Sequence, residues 1–267
     1  MMYPGGQALN FSVYTKMLGF NSAFLGVFGN DAIANHNINV LKELSIDISH
    51  CRFYDGENGY AVVDLIDGER VFITSNKGGI LKSNPINLSQ EDLNYLSNFD
   101  IIHTSNNSYM DSQLETLASL GSVLSYDFST AWKDDLQTAN ICKHINFGFM
   151  SCAELSVQEV KNQMESAHTM GTDIVVATRG SKNTFVYNGE RFFTSSPREI
   201  QAVDTLGAGD SFIATFITSF VQNIWHHEEL HEKEYVKRMN DCLEIANDMA
   251  AKTCMMMGAF GYGTKLV

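Results

Sequence analysis

The sequence predicts an α/β fold built on a mostly parallel sheet, and three observations support that prediction. Short apolar runs alternate with segments of helical periodicity along most of the 267 residues, which is the pattern of repeated βαβ units. The composition, 44% hydrophobic and 18% charged, is that of a globular protein with a substantial core. Because no linker, repeat or low-complexity tract divides the chain, we expect a single domain over residues 1–267.

In the first part of the chain, helix and strand signals follow one another closely. Residues 7–18 have a helical pattern that ends at Gly19, a residue type common at helix C-termini. Residues 22–28 form an apolar run that predicts a buried strand. Asp31 is then placed to cap a helix that runs to about Leu44.

Residues 59–75 depart from this rhythm. Two extended runs flank Asp67-Gly68, a dipeptide that favours the tight turn of a β-hairpin. We expect a small sheet here that projects from the main body.

The alternation resumes beyond this hairpin. Ser89 and Asp92 have the spacing of a capping box at the start of a short helix, and Asn188-Gly189 favours a second hairpin. Further strands are predicted at residues 99–103, 122–127, 146–150 and 174–177. In a sheet of this kind the functional site lies beyond the carboxyl ends of the strands.

Charge and cysteine usage exclude several classes of function. The net charge of −13 disfavours a nucleic-acid backbone as partner. No apolar run approaches the length of a membrane-spanning helix, and the five cysteines form no C-x-x-C pair. We expect a cytoplasmic protein with free thiols that binds neither nucleic acid nor a membrane.

The most informative segment is residues 199–220, in which an extended run leads into Asp204-Thr205-Leu206-Gly207-Ala208-Gly209-Asp210 and then into an amphipathic helix. Small residues at a helix N-terminus leave backbone N–H groups open to an anion such as phosphate. A carboxylate would repel that phosphate, so Asp210 is better suited to act as a general base on an attacking hydroxyl. The alternative is an ordinary strand-to-helix turn with an N-cap Asp.

This segment, DTLGAGDSF, resembles the second signature of the ribokinase-like (PfkB) family of carbohydrate kinases. Residues 5–10 (GGQALN) and 26–31 (GVFGND) resemble two earlier elements of the family, and residues 246–251 with Gly258-Ala259 resemble its adenine-pocket region. The resemblance implies a three-layer α/β/α sandwich in which residues 59–75 form a β-sheet lid, with its N-terminal edge near residues 1–6. It also implies ATP and Mg²⁺ as cofactors, a small sugar as substrate and K⁺ as a possible monovalent cation.

The resemblance carries specific roles onto this sequence. The catalytic set is Asp210 as base, with Gly207, Ala208 and Gly209 as the anion hole. The substrate-binding set is Gly5, Gly6 and Asn10, and the ATP-binding set is Thr178, Gly180 and Asn247. The metal set is Glu154, acting on Mg²⁺ through water, with Asp204, Thr253 and Gly258 around a monovalent cation.

Two departures from the family pattern affect these expectations. Ser151 stands where the family usually carries Asn, which removes an amide from the metal network. The family's opening strand, with its sugar-binding Asp, has no counterpart before Met1. We therefore expect weak or no sugar kinase activity from this 267-residue form.

Within the family, residues 47–56, 99–105 and 126–132 are similar to the fructoselysine 6-kinase subgroup. That similarity implies phosphorylation of the 6-hydroxyl of an Amadori product, while fructose, ribose or a nucleoside remain alternatives. A non-catalytic nucleotide-binding or sugar-binding protein is a second hypothesis. The lid edge offers a route to a homodimer.

One further motif suggests a different chemistry. Residues 227–231 (HEELH) match the H-E-x-x-H pattern of zinc peptidases. The surrounding segment is highly charged and lacks apolar flanks, so it favours a solvated surface segment.

Overall fold

The computed structural model describes residues 1–66, 69–227 and 230–265. The chain divides into two compact units, one formed by Met1–Ile86 with Arg198–Val267 and the other by Asn87–Pro197. The helices and strands of the first unit are α1 (Gln7–Met17), β1 (Val27–Phe28), α2 (Ala32–Glu43), β2 (Arg52–Phe53), β3 (Ala61–Ile66), β4 (Glu69–Ser75), α3 (Ile80–Ser83), α8 (Ala208–Phe220) and α9 (Glu232–Thr253). Those of the second unit are α4 (Gln90–Leu96), β5 (Ile101–Ser105), α5 (Leu114–Ala118), β6 (Val123–Ser129), α6 (Asp135–Cys142), β7 (Phe147–Ser151), α7 (Val157–Thr169), β8 (Ile174–Arg179), β9 (Lys182–Tyr187) and β10 (Phe192–Ser195).

The second unit is built on a six-stranded sheet in the order β10-β9-β8-β7-β6-β5. Strands β5 to β8 run parallel, and β9 and β10 continue the sheet as antiparallel hairpins. Phe147, Val175 and Val176 are fully buried, as expected for parallel strands covered on both faces. The predicted parallel α/β alternation is therefore confirmed in this unit, as is the hairpin at Asn188-Gly189.

One of these strands starts two residues later than the sequence predicts. The run 99–103 becomes Ile101–Ser105 because Phe99 still belongs to the turn that follows α4, where its N–H donates to Leu96 O at 3.1 Å. The capping box that begins α4 is present as predicted, with Ser89 Oγ accepting from the Asp92 N–H and the Asp92 carboxylate accepting from the Ser89 N–H.

In the first unit, α8 packs against both α1 and α9. Its apolar face is buried, and Phe212, Phe216 and Phe220 form a row of ring contacts along it. Helix α2 begins as predicted, because the Asp31 carboxylate accepts a hydrogen bond from the Ala34 N–H at 2.8 Å.

Two predicted extended segments of this unit differ in the structure. The run 22–28 narrows to Val27–Phe28, since its parallel partner is only Arg52–Phe53, which follows directly on a turn closed by Cys51 N–H to Ile48 O. The run that leads into Asp204 forms no strand in the described chain. The N–H groups of Val203 and Asp204 instead donate to Cys254 O, at 2.8 and 3.2 Å, at the end of α9.

The predicted hairpin is present as β3 and β4, which pair in antiparallel register from Ala61↔Ser75 to Ile66↔Glu69. Its Asp67-Gly68 turn lies outside the described residues. Met2, within the predicted N-terminal edge of the lid, forms a β-bridge with Thr264. In the part of the chain that the structure describes, the sheet contains β3 and β4 alone.

All five cysteines are buried free thiols. Among the described helices, none combines the length and apolar character needed to cross a bilayer.

Candidate active site

The loop before α8 depends on a glycine in the left-handed conformation. Gly207 has φ 78° and stands at the N-cap of α8. A Cβ added there would lie 2.5 Å from Tyr14 Oη and 2.7 Å from Ala259 Cβ. Backbone conformation and space therefore both require glycine at this position.

Asp204 ties this loop to the segment that follows α9. It is fully buried, and its two carboxylate oxygens accept hydrogen bonds from the Leu206 N–H at 3.0 Å and the Gly258 N–H at 2.7 Å. Thr253, the last residue of α9, is also fully buried, and its Oγ1 has no hydrogen-bond partner among the described residues. Of the predicted cation-binding residues, Asp204 thus links two backbone segments by hydrogen bonds, and Thr253 has a buried hydroxyl oxygen with no such bond in the described part of the chain.

Tyr14 is a supporting residue that the sequence reasoning missed. Its buried hydroxyl donates to Ala259 O and lies against Gly207. Burial raises the pKa of this phenol, so the hydroxyl keeps its proton and remains a donor. The available signal was its position one helical turn beyond Asn10, which places both side chains on the same face of α1.

The predicted sugar-binding Asn10 lies against the predicted base. Asn10 Nδ2 donates to Asp210 Oδ2 at 2.6 Å, although the two residues are 200 positions apart. Asn10 is only 3% exposed, and its Oδ1 is buried without a hydrogen-bond partner in the described chain. This geometry fixes the carboxylate and leaves a polar oxygen beside it.

The two glycines before α1 belong to the same corner of the unit. Gly6 is the N-cap of α1, and its carbonyl accepts from the Asn10 N–H at 2.7 Å. A Cβ added to Gly5 would lie 3.8 Å from Asn10 Oδ1, so the backbone here passes close to that unpaired oxygen. The structure therefore brings Gly5, Gly6, Asn10 and Asp210 together.

Open space surrounds the remaining glycine of the predicted anion hole. A Cβ added to Gly209 would meet nothing within 4 Å. Ala208 and Gly209 form the first turn of α8, where the helix dipole is positive and N–H groups have no intrahelical carbonyl partner, although the Ala208 N–H donates to Thr205 O at 3.3 Å. The geometry provides room and partial positive charge for an anionic group.

The predicted nucleotide and Mg²⁺ residues are divided between the units. Asn247 is buried in α9 of the first unit. Glu154, Thr178 and Gly180 belong to the second unit, where Glu154 is exposed in the turn after β7. Thr178 Oγ1 donates to Met150 O at 3.4 Å, and Gly180 has φ 63° in the hairpin after β8.

The turn after β7, which carries Glu154, also contains a buried cysteine. Cys152 N–H donates to Thr178 O at 2.8 Å, which ties the ends of β7 and β8 together. Burial raises the pKa of the Cys152 thiol to about 12, so this cysteine is not an activated nucleophile.

The zinc-peptidase pattern falls partly outside the described residues, since it includes Glu228 and Glu229. His231 is the N-cap of α9 and His227 precedes that helix, so the two imidazoles do not share a helical face. Among the described side chains, no group of three or more His, Cys, Asp or Glu residues is arranged to hold a metal ion.

A family model described as pfkB family carbohydrate kinase matches residues 1–260. The chain belongs to the pfkB family of carbohydrate kinases. This confirms the family predicted from the D-T-L-G-A-G-D segment, and with it the assignment as a kinase.

This pfkB kinase is similar in sequence to two kinases of amino sugars. The chain is 39% identical over 264 residues to fructosamine kinase FrlD of Bacillus subtilis (strain 168), covering 98% of this chain and 87% of that protein. It is 28% identical over 215 residues to fructoselysine 6-kinase of Escherichia coli (strain K12), covering 80% of each.

The fold is similar to that of Arabidopsis thaliana ribokinase, solved in complex with ribose and ATP. The TM-score is 0.78 at 21% identity, over 96% of this chain and 83% of the ribokinase. The predicted ribokinase-like α/β fold is confirmed.

Proposed function

We propose that this pfkB kinase transfers the γ-phosphoryl group of ATP to a primary hydroxyl of a sugar-amine (Amadori) compound, with fructoselysine as the first candidate. The observation that carries the chemistry is the Asn10–Asp210 pair next to the start of α8, where Gly209 borders open space. The names of the two relatives, a fructosamine kinase and a fructoselysine kinase, support the substrate class.

In this proposal Asp210 takes the proton from the attacking hydroxyl. A general base must lie within hydrogen-bond reach of that proton and point in a fixed direction. Asn10 Nδ2 holds one carboxylate oxygen of Asp210, and the unpaired Asn10 Oδ1 is available to accept from a neighbouring sugar hydroxyl. Gly5 and Gly6 let the substrate approach the backbone beside Asn10.

The N–H groups of Gly207, Ala208 and Gly209 would stabilise the charge that develops on the transferred group. Such donors act strongly because they are already oriented before the reaction begins. Asp204 and Tyr14 hold this loop in place through Gly258 N–H and Ala259 O.

Thr178, Gly180 and Asn247 are proposed to contact the nucleotide, and Glu154 to reach Mg²⁺ through water. An exposed carboxylate on a defined turn suits Mg²⁺, which binds through one or two carboxylates together with water and substrate phosphates. When bound, Mg²⁺ neutralises charge on the β- and γ-phosphates.

A monovalent cation such as K⁺ is proposed to lie near Asp204, Thr253 and Gly258. The residues fit such an ion, because a buried carboxylate and the unsatisfied Thr253 Oγ1 occur in the same buried region. The cation would supply the partner that this hydroxyl oxygen lacks.

The hairpin is proposed to act as a lid and as the contact in a homodimer. Phe72 and Ile73 on β4 are 69% and 60% exposed. Apolar side chains on a two-stranded sheet with unpaired edges favour pairing with a second copy.

The test is an ATP-consumption screen of this chain, and of the protein extended at its amino end, against fructoselysine, fructose, ribose and a nucleoside. We expect fructoselysine to give the highest kcat/KM. In the Asp210→Asn variant, kcat should fall about 10²- to 10⁴-fold, while ATP binding measured by calorimetry is retained. Asp241→Asn, at an exposed position on α9, is the matched control and should remain active.

Two outcomes would overturn this proposal. Near-normal turnover by Asp210→Asn would show that Asp210 is not the general base. ATP binding without turnover of any of the four acceptors would indicate a binding protein instead.

A further inference from the structure

The turn that carries Glu154 is held by side chains from three separate elements of the second unit. Trp132 Nε1 donates to Ser151 O at 3.0 Å, and Lys182 Nζ donates to Ala153 O at 3.0 Å. Arg179 Nη2 donates to Leu155 O at 2.7 Å. Every second carbonyl of the segment 151–155 therefore accepts a hydrogen bond from a side chain.

The turn itself is closed by a backbone hydrogen bond from Leu155 N–H to Cys152 O at 3.2 Å. The Ala153 carbonyl belongs to the peptide group that joins Ala153 to Glu154. The Leu155 carbonyl belongs to the peptide group that joins Leu155 to residue 156. Holding both limits the backbone rotation of Glu154, whose side chain remains exposed.

Arg179 is unusual because it is a buried cation whose hydrogen-bond partner is a carbonyl. It is 8% exposed, and it forms no ion pair with any residue in the described ranges. Its Nε is buried without a partner, and its guanidinium lies 5.9 Å from the centre of the Phe185 ring. Burying a guanidinium without a carboxylate is costly, which indicates a purpose beyond stability.

We propose that Arg179 and Lys182 are positioning residues that hold the Ser151–Leu155 turn, so that the Glu154 carboxylate is preorganised for the divalent cation that accompanies the nucleotide. This inference rests on the proposed function, in which Glu154 acts on that cation. The side chains of Arg179 and Lys182 donate to backbone carbonyls, so neither forms an ion pair with the Glu154 carboxylate.

The test compares Arg179→Met and Lys182→Met with Lys143→Met. Lys143 is an exposed lysine before the amino end of β7, so it matches the change in charge at the opposite end of that strand. The first readout is the Mg²⁺ concentration that gives half-maximal velocity at saturating sugar. The second is Mn²⁺ binding in the presence of ADP, measured by electron paramagnetic resonance, which requires no turnover.

We expect Arg179→Met to raise the half-saturating Mg²⁺ concentration and to weaken Mn²⁺ binding by about 10-fold, the usual effect of losing a support for a metal-binding group. Lys182→Met should move both quantities in the same direction by less, because that lysine is exposed. Arg179→Lys should recover part of the loss, since a lysine can still donate to one carbonyl. Lys143→Met should leave both quantities unchanged.

A double variant shows whether the effect passes through Glu154. In the Glu154→Gln background, adding Arg179→Met should cause little further loss of Mn²⁺ affinity, because the carboxylate that it orients is already absent. Fully additive losses would contradict a positioning role.

Unchanged metal dependence in Arg179→Met and Lys182→Met, with wild-type melting temperatures, would overturn the inference. A fall in kcat without a change in either metal readout would also overturn it. If Arg179→Met does not fold, Lys182→Met still decides the question, since its side chain is exposed. Absence of ATP consumption both by this chain and by the amino-extended protein would refute the proposed function, whereas the Mn²⁺ measurements test the turn separately.

Discussion

Replacing Gly207 by alanine should destabilise the protein strongly, because two independent costs fall on one added methyl group. Gly207 has φ 78°, a conformation that costs an L-residue about 1–2 kcal/mol. The new Cβ would also lie 2.5 Å from Tyr14 Oη and 2.7 Å from Ala259 Cβ. Overpacking of this kind costs about 1–3 kcal/mol.

The two costs together amount to about 2–5 kcal/mol. For a protein of this size, each kcal/mol lowers the melting temperature by about 2–4 °C. Gly207→Ala should therefore melt about 4–20 °C below wild type, as measured by calorimetry or circular dichroism.

Gly209→Ala is the matched control in the same loop. Its φ is not positive, and an added Cβ meets nothing within 4 Å. Alanine is favoured over glycine in a helix by about 1 kcal/mol, so Gly209→Ala should melt at or slightly above the wild-type temperature. Its kcat should nevertheless fall, because the methyl group enters the space proposed for the transferred group.

Tyr14→Phe provides a second check, since it removes the oxygen that the Gly207→Ala methyl would strike. The double variant should lose less stability than the sum of the two single losses. If Gly207→Ala melts like wild type, the left-handed conformation and the close contact with Tyr14 are both refuted. Strict additivity would refute the contact alone.

Three further predictions test other parts of the molecule. Asn10→Leu should lower kcat about 10- to 100-fold in steady-state assays and lower the melting temperature by about 3–12 °C, because it removes a hydrogen bond to a charged carboxylate that contributes about 1.5–3 kcal/mol; unchanged kcat would contradict the pairing. Burial lowers the pKa of His103 to about 3. Below pH 6.5 the His103 imidazole therefore binds a proton in the unfolded chain but stays neutral in the folded protein. The free energy of unfolding should therefore fall by up to about 1.4 kcal/mol per pH unit between pH 6.5 and 3, and urea titrations of His103→Asn should show a weaker dependence. Thr253→Val should reduce stimulation by K⁺ in the kinase assay, whereas Thr253→Ser, which keeps the hydroxyl, should retain it; unchanged K⁺ stimulation in Thr253→Val would contradict a role for that oxygen.

Features set by neighbouring residues could be predicted from the sequence. The Asp31 cap, the Ser89–Asp92 capping box and the β3–β4 hairpin each depend on a few adjacent side chains. The helix after Gly207 was predictable because its apolar spacing has the period of a buried helical face. These local signals were sufficient for the fold class and for most element positions.

Features that depend on distant segments could not be predicted in this way. Asp204 reaches Gly258 across 54 positions, and Tyr14 reaches Ala259 across 245. At the end of the extended run before Asp204, the N–H groups of Val203 and Asp204 donate to Cys254 O rather than to a neighbouring strand, a partner that the local sequence does not reveal. Arg179 shows the same limit, since nothing in its neighbours indicates a hydrogen bond to Leu155.

The G-A-G segment also shows why a short motif combines two separable requirements. Gly207 is needed for the fold, because its φ and its contacts with Tyr14 and Ala259 exclude any side chain. Gly209 is under no such constraint in the structure, since its surroundings are empty and its backbone suits other residues. In the proposed function the transferred group enters the space beside Gly209, so the stability and the kinetics of the two alanine variants should separate accordingly.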